Sequence, residues 1–188
     1  MNSIFGLRQD DSFQALVQVD ETGEIAYEDS VAIQATKLCG QSFEAGLKPI
    51  NLSWGTPRKK KNSDIQTMLS PFIVFSAAAF GALSPLLDGK GDVLSVAAPI
   101  DGVRGFHVTQ VIDGAVDMNA SKFKVYSEAI VFSRIVLLEK KIEDVDIFRL
   151  KEKPATVFVS KRFKEVVLSS KLKGFDFGEI IALSSSGG

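Results

Sequence analysis

Two segments of the chain share one pattern, in which a short apolar run is followed by a serine and then by a helix-forming stretch. The first consists of residues 72–75, Ser76 and residues 77–83, and the second of residues 156–159, Ser160 and residues 161–171. Serine at such a junction caps a helix, because its hydroxyl accepts a hydrogen bond from a free backbone N–H of the first turn. Each segment therefore predicts a strand, an N-cap and a helix.

The two predicted helices are expected to end in different ways. Pro85 removes a backbone donor and clashes with the preceding turn, so the first helix should end near Leu83. In the second helix, apolar residues recur from Phe163 to Val167 at i, i+3 and i+4, with charged residues on the opposite side. Gly174 then stands at a C′ position. Two copies of such a unit do not establish a repeat architecture.

Further strands are predicted where apolar, β-branched and aromatic residues alternate or run together between turn residues. They are residues 12–20, 93–100, 106–112, 123–126 and 129–138. The last is almost continuously apolar, which predicts a central strand buried on both faces. Residues 31–38 fit a helix or a strand. The predicted fold class is therefore α+β, with a mainly antiparallel sheet and a few short helices packed on it.

The length of 188 residues favours a single domain, predicted over residues 1–183, with a disordered Ser/Gly tail at 184–188. Fourteen Phe against two Tyr and one Trp indicate a large apolar core or a dry interface. No stretch reaches the ~18 apolar residues of a membrane-spanning helix. The start lacks the features of a secretory signal, so we expect a cytoplasmic protein that does not contact membranes.

Residues that carry catalysis or bind metals are scarce. His107 is the only histidine and Cys39 the only cysteine. A hydrolase would have to combine His107 with Asp113 or Cys39, whereas a histidine inside a strand is more often partly buried and hydrogen-bonded. No metal-ligand spacing and no phosphate-binding glycine loop is present. We therefore predict no catalytic residues, no metal site and no cofactor.

The charge is distributed unevenly along the chain. Residues 1–40 carry a net charge of −5 and residues 41–188 carry +4. The acids of the first forty residues are the candidate partner-binding residues: Asp10, Asp11, Asp20, Glu21, Glu24, Glu28 and Asp29. Solvation of loops is the plainer interpretation of the same charges. The basic run at 58–61 lacks interleaved aromatic residues, so direct binding to nucleic acid is not expected.

Three stretches near the C-terminus, DIFRL at 146–150, TVFVSKRFKEVV at 156–167 and LKGFDF at 172–177, resemble the ending of immunity family eleven of bacterial polymorphic toxin systems, formerly a bacterial domain of unknown function. Upstream, the apolar strand, serine and helix at 72–83 and the VTQVID strand at 108–113 are similar as well. The resemblance extends over about residues 69–177 and divides the chain into a family-like part, 67–183, and a variable part, 1–66. Six motif residues then have structural roles: Phe148, Arg149, Phe158, Ser160, Phe163 and Gly174. Arg149 is alternatively a buried ion-pair partner.

The resemblance implies an immunity protein that binds a cognate toxin and neutralises it without catalysis. Because a toxin that acts on nucleic acid has a basic cleft, the acidic segment suggests a nuclease with a cytoplasmic target. Two alternatives remain, a small hydrolase that uses His107 and an adaptor domain of a secretion system. Genome context distinguishes the adaptor, because an immunity gene lies directly downstream of a toxin gene. The oligomeric state and the toxin are not readable from the sequence.

Overall fold

The computed structural model describes residues 3–27, 30–55, 59–127 and 130–185. The three helices are α1 (Val31–Lys37), α2 (Ala77–Leu87) and α3 (Lys161–Ser169), and Glu139–Lys141 form one turn of 3₁₀-helix. The strands are β1 (Ile4–Gly6), β2 (Arg8–Gln9), β3 (Leu16–Gln18), β4 (Ile50–Trp54), β5 (Ile65–Gln66), β6 (Phe72–Phe75), β7 (Gly91–Leu94), β8 (Val96–Ala97), β9 (Arg104–Val108), β10 (Val111–Ile112), β11 (Lys122–Val125), β12 (Ile130–Arg134), β13 (Val136–Leu138), β14 (Ile147–Leu150), β15 (Lys153–Ser160), β16 (Phe175–Asp176) and β17 (Ile180–Ser184). The predicted α+β class is confirmed.

A six-stranded sheet in the order β10-β14-β15-β1-β17-β13 forms the centre of the molecule. Strand β1 lies between two strands from the other end of the chain, with Ile4 opposite Ser160 on one side and Ile181 on the other. These pairings are antiparallel, while β10 with β14 and β13 with β17 are parallel. A four-stranded antiparallel sheet, β5-β6-β9-β7, and a three-stranded sheet, β3-β4-β8, pack beside it. The N-terminal strand is thus an internal part of the main sheet.

Both larger sheets are buried on their two faces. In β1, Ile4 packs into one apolar cluster and its neighbour Phe5 into another, because successive side chains of a strand point to opposite faces. In β6, Phe72 and Phe75 are divided in the same way between a third cluster, which holds α1, and the cluster that holds α2 and α3. Much of the unusual phenylalanine content is accounted for by these cores.

The two strand–Ser–helix units are confirmed, and they resemble each other more closely than their sequences predict. The hydroxyls of Ser76 and Ser160 each accept a hydrogen bond from the backbone N–H three residues later, at 3.1 Å. Each hydroxyl also donates to a carboxylate at 2.6 Å, that of Asp64 for Ser76 and that of Asp146 for Ser160. The caps are therefore fixed from both sides. Helices α2 and α3 pack into the same apolar cluster.

Pro85 does not end the first of these helices, as the sequence predicted, but lies inside α2, which continues to Leu87. The carbonyl of Gly81, four residues earlier, would normally accept the hydrogen bond that proline cannot donate. It accepts instead from the Ser84 hydroxyl at 3.2 Å. Leu86 and Leu87 are buried, so packing of the last turn offsets the lost backbone hydrogen bond.

The apolar run at 129–138 was predicted to be one central strand, and this is wrong. Its first half is β12, which forms a two-stranded hairpin with β11 and exposes Val131, while β13 lies at the edge of the six-stranded sheet. The break at Ile135 directly follows Ser133 and Arg134, the two polar residues that interrupt this run. Residues 31–38, left open by the sequence, contain α1.

Two further predictions need adjustment near the C-terminus. The C′ residue after α3 is Lys171, with φ of 54°, and Gly174 occupies a separate left-handed position three residues later. Ser184, the first residue of the predicted tail, ends β17, so ordered structure extends further than expected. Residues 186–188 lie outside the described residues. Among the helices of the described chain, none has the length and apolar character needed to span a bilayer.

Candidate functional site

A groove of about 720 Å³ lies between the turn that follows β3, helix α1 and the segment that leads into β4. Its walls carry the apolar side chains of Ile25, Tyr27 and Leu47 together with the carboxylates of Asp20 and Glu21. All five residues are exposed, and among Ile25, Tyr27 and Leu47 the most exposed is Tyr27, at 74%. We call this surface the acidic groove.

The acidic side of the groove is a tight turn at residues 20–24. One carboxylate oxygen of Asp20 accepts hydrogen bonds from the Thr22 backbone at 2.8 Å, the Thr22 hydroxyl at 2.7 Å and the Glu24 backbone at 3.0 Å. The Thr22 hydroxyl, more than the backbone donors, holds the pKa of Asp20 below its ordinary value. Gly23 takes φ of 88°, which glycine adopts without strain. The Asp20 carboxylate is therefore ionised at neutral pH.

Glu21 faces a lysine across the groove but is not neutralised by it. The distance from Lys48 Nζ to the Glu21 carboxylate is 3.9 Å, and both side chains are about nine-tenths exposed. Such a pair contributes little and is screened by salt. Glu24 lies in the same turn and is also exposed.

The structure does not bring all the predicted partner-binding acids together. Asp20 and Glu21 line the acidic groove and Glu24 lies in the same turn outside its lining, whereas Asp10 and Asp11 line a different concavity beside Lys164. The Asp10 carboxylate accepts from the Ser12 backbone N–H at 2.8 Å, and this bond lowers the pKa of Asp10. Glu28 and Asp29 lie outside the described residues. The acidic segment is thus divided between at least two surfaces.

Two buried polar side chains hold the helix that lines the groove. Arg149 is fully buried, and its guanidinium donates to the carbonyls of Ala35 at 2.9 Å, Val108 at 3.1 Å and Pro154 at 2.8 Å. Ala35 belongs to α1, so Arg149 fixes this helix to strands β9 and β14. Among the described carboxylates none forms a salt bridge with Arg149, whose partners there are these three carbonyls. Burial lowers the pKa of Arg149, while its three carbonyl partners satisfy its donors.

His107 makes the second connection. Its ring is fully buried in β9, and Nε2 lies 2.9 Å from the carbonyl oxygen of Gln41, in the loop that follows α1. The Phe43 ring packs edge-on against it, with 4.8 Å between ring centroids. Burial lowers the pKa of His107 most strongly, the bond to Gln41 acts in the opposite direction, and nearby Arg149 lowers it further. His107 is therefore neutral at pH 7 and donates from Nε2.

The predicted catalytic combinations do not form around this ring. Asp113 is exposed and bonded to Lys151 at 2.6 Å, and this bond holds its pKa below the ordinary value. Cys39 is a free, half-buried thiol, and no hydrogen bond or salt bridge joins it or Asp113 to His107. Within the described residues, His, Cys, Asp and Glu side chains nowhere gather in threes as a metal site would need.

The remaining motif residues lie in the interior. Phe148 and Phe158 stack across β14 and β15 with 5.7 Å between ring centroids, and Phe163 is fully buried in α3. Ser160 is the helix cap described above. Gly174 has φ of 82°, and a Cβ at this position would collide with the side chain of Ser63. Each of these side chains thus has an evident role in the fold.

Comparison with known proteins gives a family match in the C-terminal part of the chain. Residues 106–182 match the Immunity protein family (Imm11). The resemblance predicted from the sequence is therefore confirmed, although the match begins at 106 and the upstream part, from about residue 69, lies outside it. Arg149, His107 and all six motif residues belong to the matched segment, and the acidic groove does not. A search of curated proteins gives no match to the chain.

Sequence reasoning found the acids of the groove but missed its apolar part. Ile25, Tyr27 and Leu47 are isolated in loops, where no periodicity distinguishes a buried side chain from an exposed one. The available signal was Tyr27, one of only two tyrosines, which stands beside the acidic run. Tyrosine is enriched at interfaces because it joins a large apolar surface to a polar tip.

Proposed function

We propose that this chain is an immunity protein that neutralises a toxin by binding it, and that the acidic groove contacts the toxin. The observation that carries the first part is the match of residues 106–182 to an immunity family, which suggests an inhibitor without catalytic activity of its own. The second part is supported by the exposed side chains of Tyr27, Ile25 and Leu47 beside ionised carboxylates.

The chemistry of the groove favours a basic partner with a protruding apolar side chain. Interfaces combine an anchor buried in a pocket with surrounding charges, and complementary charge accelerates association more than it increases affinity. A nuclease fits this description, because its cleft must attract phosphates. We therefore propose a nuclease toxin that acts in the cytoplasm, where the immunity protein would also reside.

The test uses the product of the toxin gene that we expect directly upstream, co-expressed and co-purified with this chain. The double variant Glu21→Lys with Glu24→Lys should slow association at least tenfold at low salt, and Tyr27→Ala should accelerate dissociation. Both should leave the free energy of unfolding within about 0.5 kcal/mol of the wild type, because these side chains are exposed. Surface plasmon resonance separates the two rates.

The matched control is Glu143→Lys with Glu179→Lys, which changes the net charge equally at two exposed sites away from the groove. If this control slowed association as much as the groove variant, only the overall charge would matter and the groove would be rejected. Failure of the purified chain to bind the toxin or to protect cells from it would reject the immunity function itself.

A further inference from the structure

The hairpin formed by β11 and β12 is set apart from the rest of the molecule. These two strands pair with each other and with no other described strand. Phe123 lies opposite Phe132, and Val125 lies opposite Ile130, so the four side chains share one face of the hairpin. Phe132 packs against the apolar cluster beneath the six-stranded sheet. The base of the hairpin is therefore anchored, and its far end extends away from the core.

The far end of this hairpin is apolar and exposed. Val125 is 70% exposed, and Tyr126, Ile130 and Val131 are exposed as well. An isolated two-stranded hairpin is at best marginally stable in water, and a contiguous exposed apolar patch usually marks an interaction site. The hairpin thus has the character of a docking element.

The charge of the hairpin is opposite to that of the acidic groove. Residues 122–134 contain the bases Lys122, Lys124 and Arg134 and the single acid Glu128, for a net charge of +2. The turn at residues 20–24 contributes three acids and no base. Each surface combines its charges with exposed large apolar side chains, and together the two hold seven of the thirteen such side chains found among the described residues. The positive charge of the hairpin therefore complements the negative charge of the acidic groove.

We propose that the hairpin of one molecule docks into the acidic groove of a second copy of this chain. Because Lys124 lies on the opposite face of the hairpin from Val125 and Ile130, the hairpin would enter the groove with its lysine face towards Asp20 and Glu21 and with Val125 and Ile130 over Tyr27 and Leu47. Interfaces below ~1,200 Å² are typical of weak encounters, so we expect the end of one hairpin in one groove to associate weakly. If the groove also binds the toxin, which rests on the proposed function, toxin and second copy compete for it.

Sedimentation of the purified full chain, without any toxin, tests this contact. The weight-average mass should rise with protein concentration at 20 mM NaCl and return to that of the monomer at 500 mM, because the contact depends on exposed charges. A chain that stays monomeric at several hundred micromolar in low salt overturns the proposal. The measurement does not involve the toxin, so its failure leaves the proposed function untouched.

A charge exchange identifies the two surfaces. The hairpin variant, Lys122→Glu with Lys124→Glu, and the groove variant, Glu21→Lys with Glu24→Lys, should each weaken self-association at least tenfold, because like charges then face each other. An equimolar mixture of the two variants should associate again, since the acidic hairpin of one fits the basic groove of the other. Mutated residues are exposed in both variants, so the fold is retained.

The matched control is Lys171→Glu with Lys173→Glu, the same change in charge at two exposed lysines outside the hairpin. It should leave self-association unchanged. Val125→Ser with Ile130→Ser removes the apolar contribution without a change of charge and should also weaken association. Self-association that persists in the hairpin variant, or that does not return in the mixture, would assign the contact to another surface and reject the proposal.

Discussion

The segment 106–182 and the acidic groove differ in how they use polar side chains. In the matched segment, Arg149, His107 and Ser160 are buried, and each is bonded to a group from another part of the chain. In the groove, Glu21 and Tyr27 lie in solvent and make no buried hydrogen bond. A polar residue that is singled out by a family motif therefore need not take part in binding. Here the motif maintains the scaffold, and an unmatched region presents the candidate binding surface.

The two regions are nevertheless connected through α1. This helix lines the groove with Val31, and it is fixed to the matched segment by the bond from Arg149 to Ala35. His107 fixes the loop that follows the helix. The matched segment thus sets the position of the surface that we propose for binding.

Replacement of Arg149 by methionine should reduce the free energy of unfolding by about 3 kcal/mol, because three buried carbonyls lose their donor. The loss should appear in urea denaturation. Arg162→Met is the control, since the Arg162 side chain is mostly exposed and pairs with Asp146 only at 3.3 Å. An equal loss of unfolding free energy in both variants would show that the buried Arg149 stabilises the fold no more than the exposed Arg162 does.

The glycines Gly174 and Gly23 provide a pair with nearly equal φ, 82° and 88°, one in the scaffold and one in the groove turn. Alanine at Gly23 meets no atom within 4 Å and should cost only the backbone strain, about 1 kcal/mol. Alanine at Gly174 also collides with Ser63 and should cost about 2 kcal/mol or more. The difference between the melting temperatures of the two variants measures the effect of the collision with Ser63, and equal melting temperatures would contradict that collision.

The two serine caps test whether the matched and unmatched strand–Ser–helix units contribute alike. Ser160→Ala and Ser76→Ala should each destabilise the protein by about 1 kcal/mol, since each loses a cap and the bond to one carboxylate oxygen. Ser160 is the more buried of the two, so its loss should be the greater. A negligible effect at Ser76 would confine this device to the matched segment. Chemical denaturation resolves the difference.

The pH dependence of stability should reveal the buried His107. Because burial lowers its folded-state pKa below the ordinary value of 6.5, the unfolded chain takes up the proton first as the pH falls. Stability is therefore complete above about pH 6.5 and decreases as the pH falls below it. His107→Gln should remove this dependence between pH 6.5 and 5, above the range in which most carboxylates titrate. The same slope in wild type and variant would exclude His107 as its cause.

The sequence predicted those parts of the fold that are formed by interactions between residues close together in the chain. The capped helices after Ser76 and Ser160 follow from residues adjacent in sequence, and so does the left-handed turn at Gly23. The break between β12 and β13 was missed because it depends on distant partners, with Val136 paired to Ala182 across the sheet. Continuation of α2 through Pro85 was missed for a related reason, since burial of Leu86 and Leu87 depends on tertiary contacts.

The sequence predicted the negative charge of the candidate site but not which of the acids the fold brings together. The excess of acids before residue 40 is visible in the sequence, but only the fold separates Asp10 and Asp11 from the turn at residues 20–24. The partners of Arg149 show the same limit, because Ala35 lies 114 residues away in the chain. Motif matching identified Arg149 as a residue of interest without indicating that it holds the helix beside the groove.

The position of β1 has a consequence for synthesis. This strand is translated first, yet both of its neighbours, β15 and β17, are more than 150 residues further along the chain. The six-stranded sheet cannot close until β17 has left the ribosome, and until β15 emerges Ile4 and Phe5 have no strand to pair with. Chains that end before β17 therefore lack one of the two neighbours of β1 and cannot complete the six-stranded sheet.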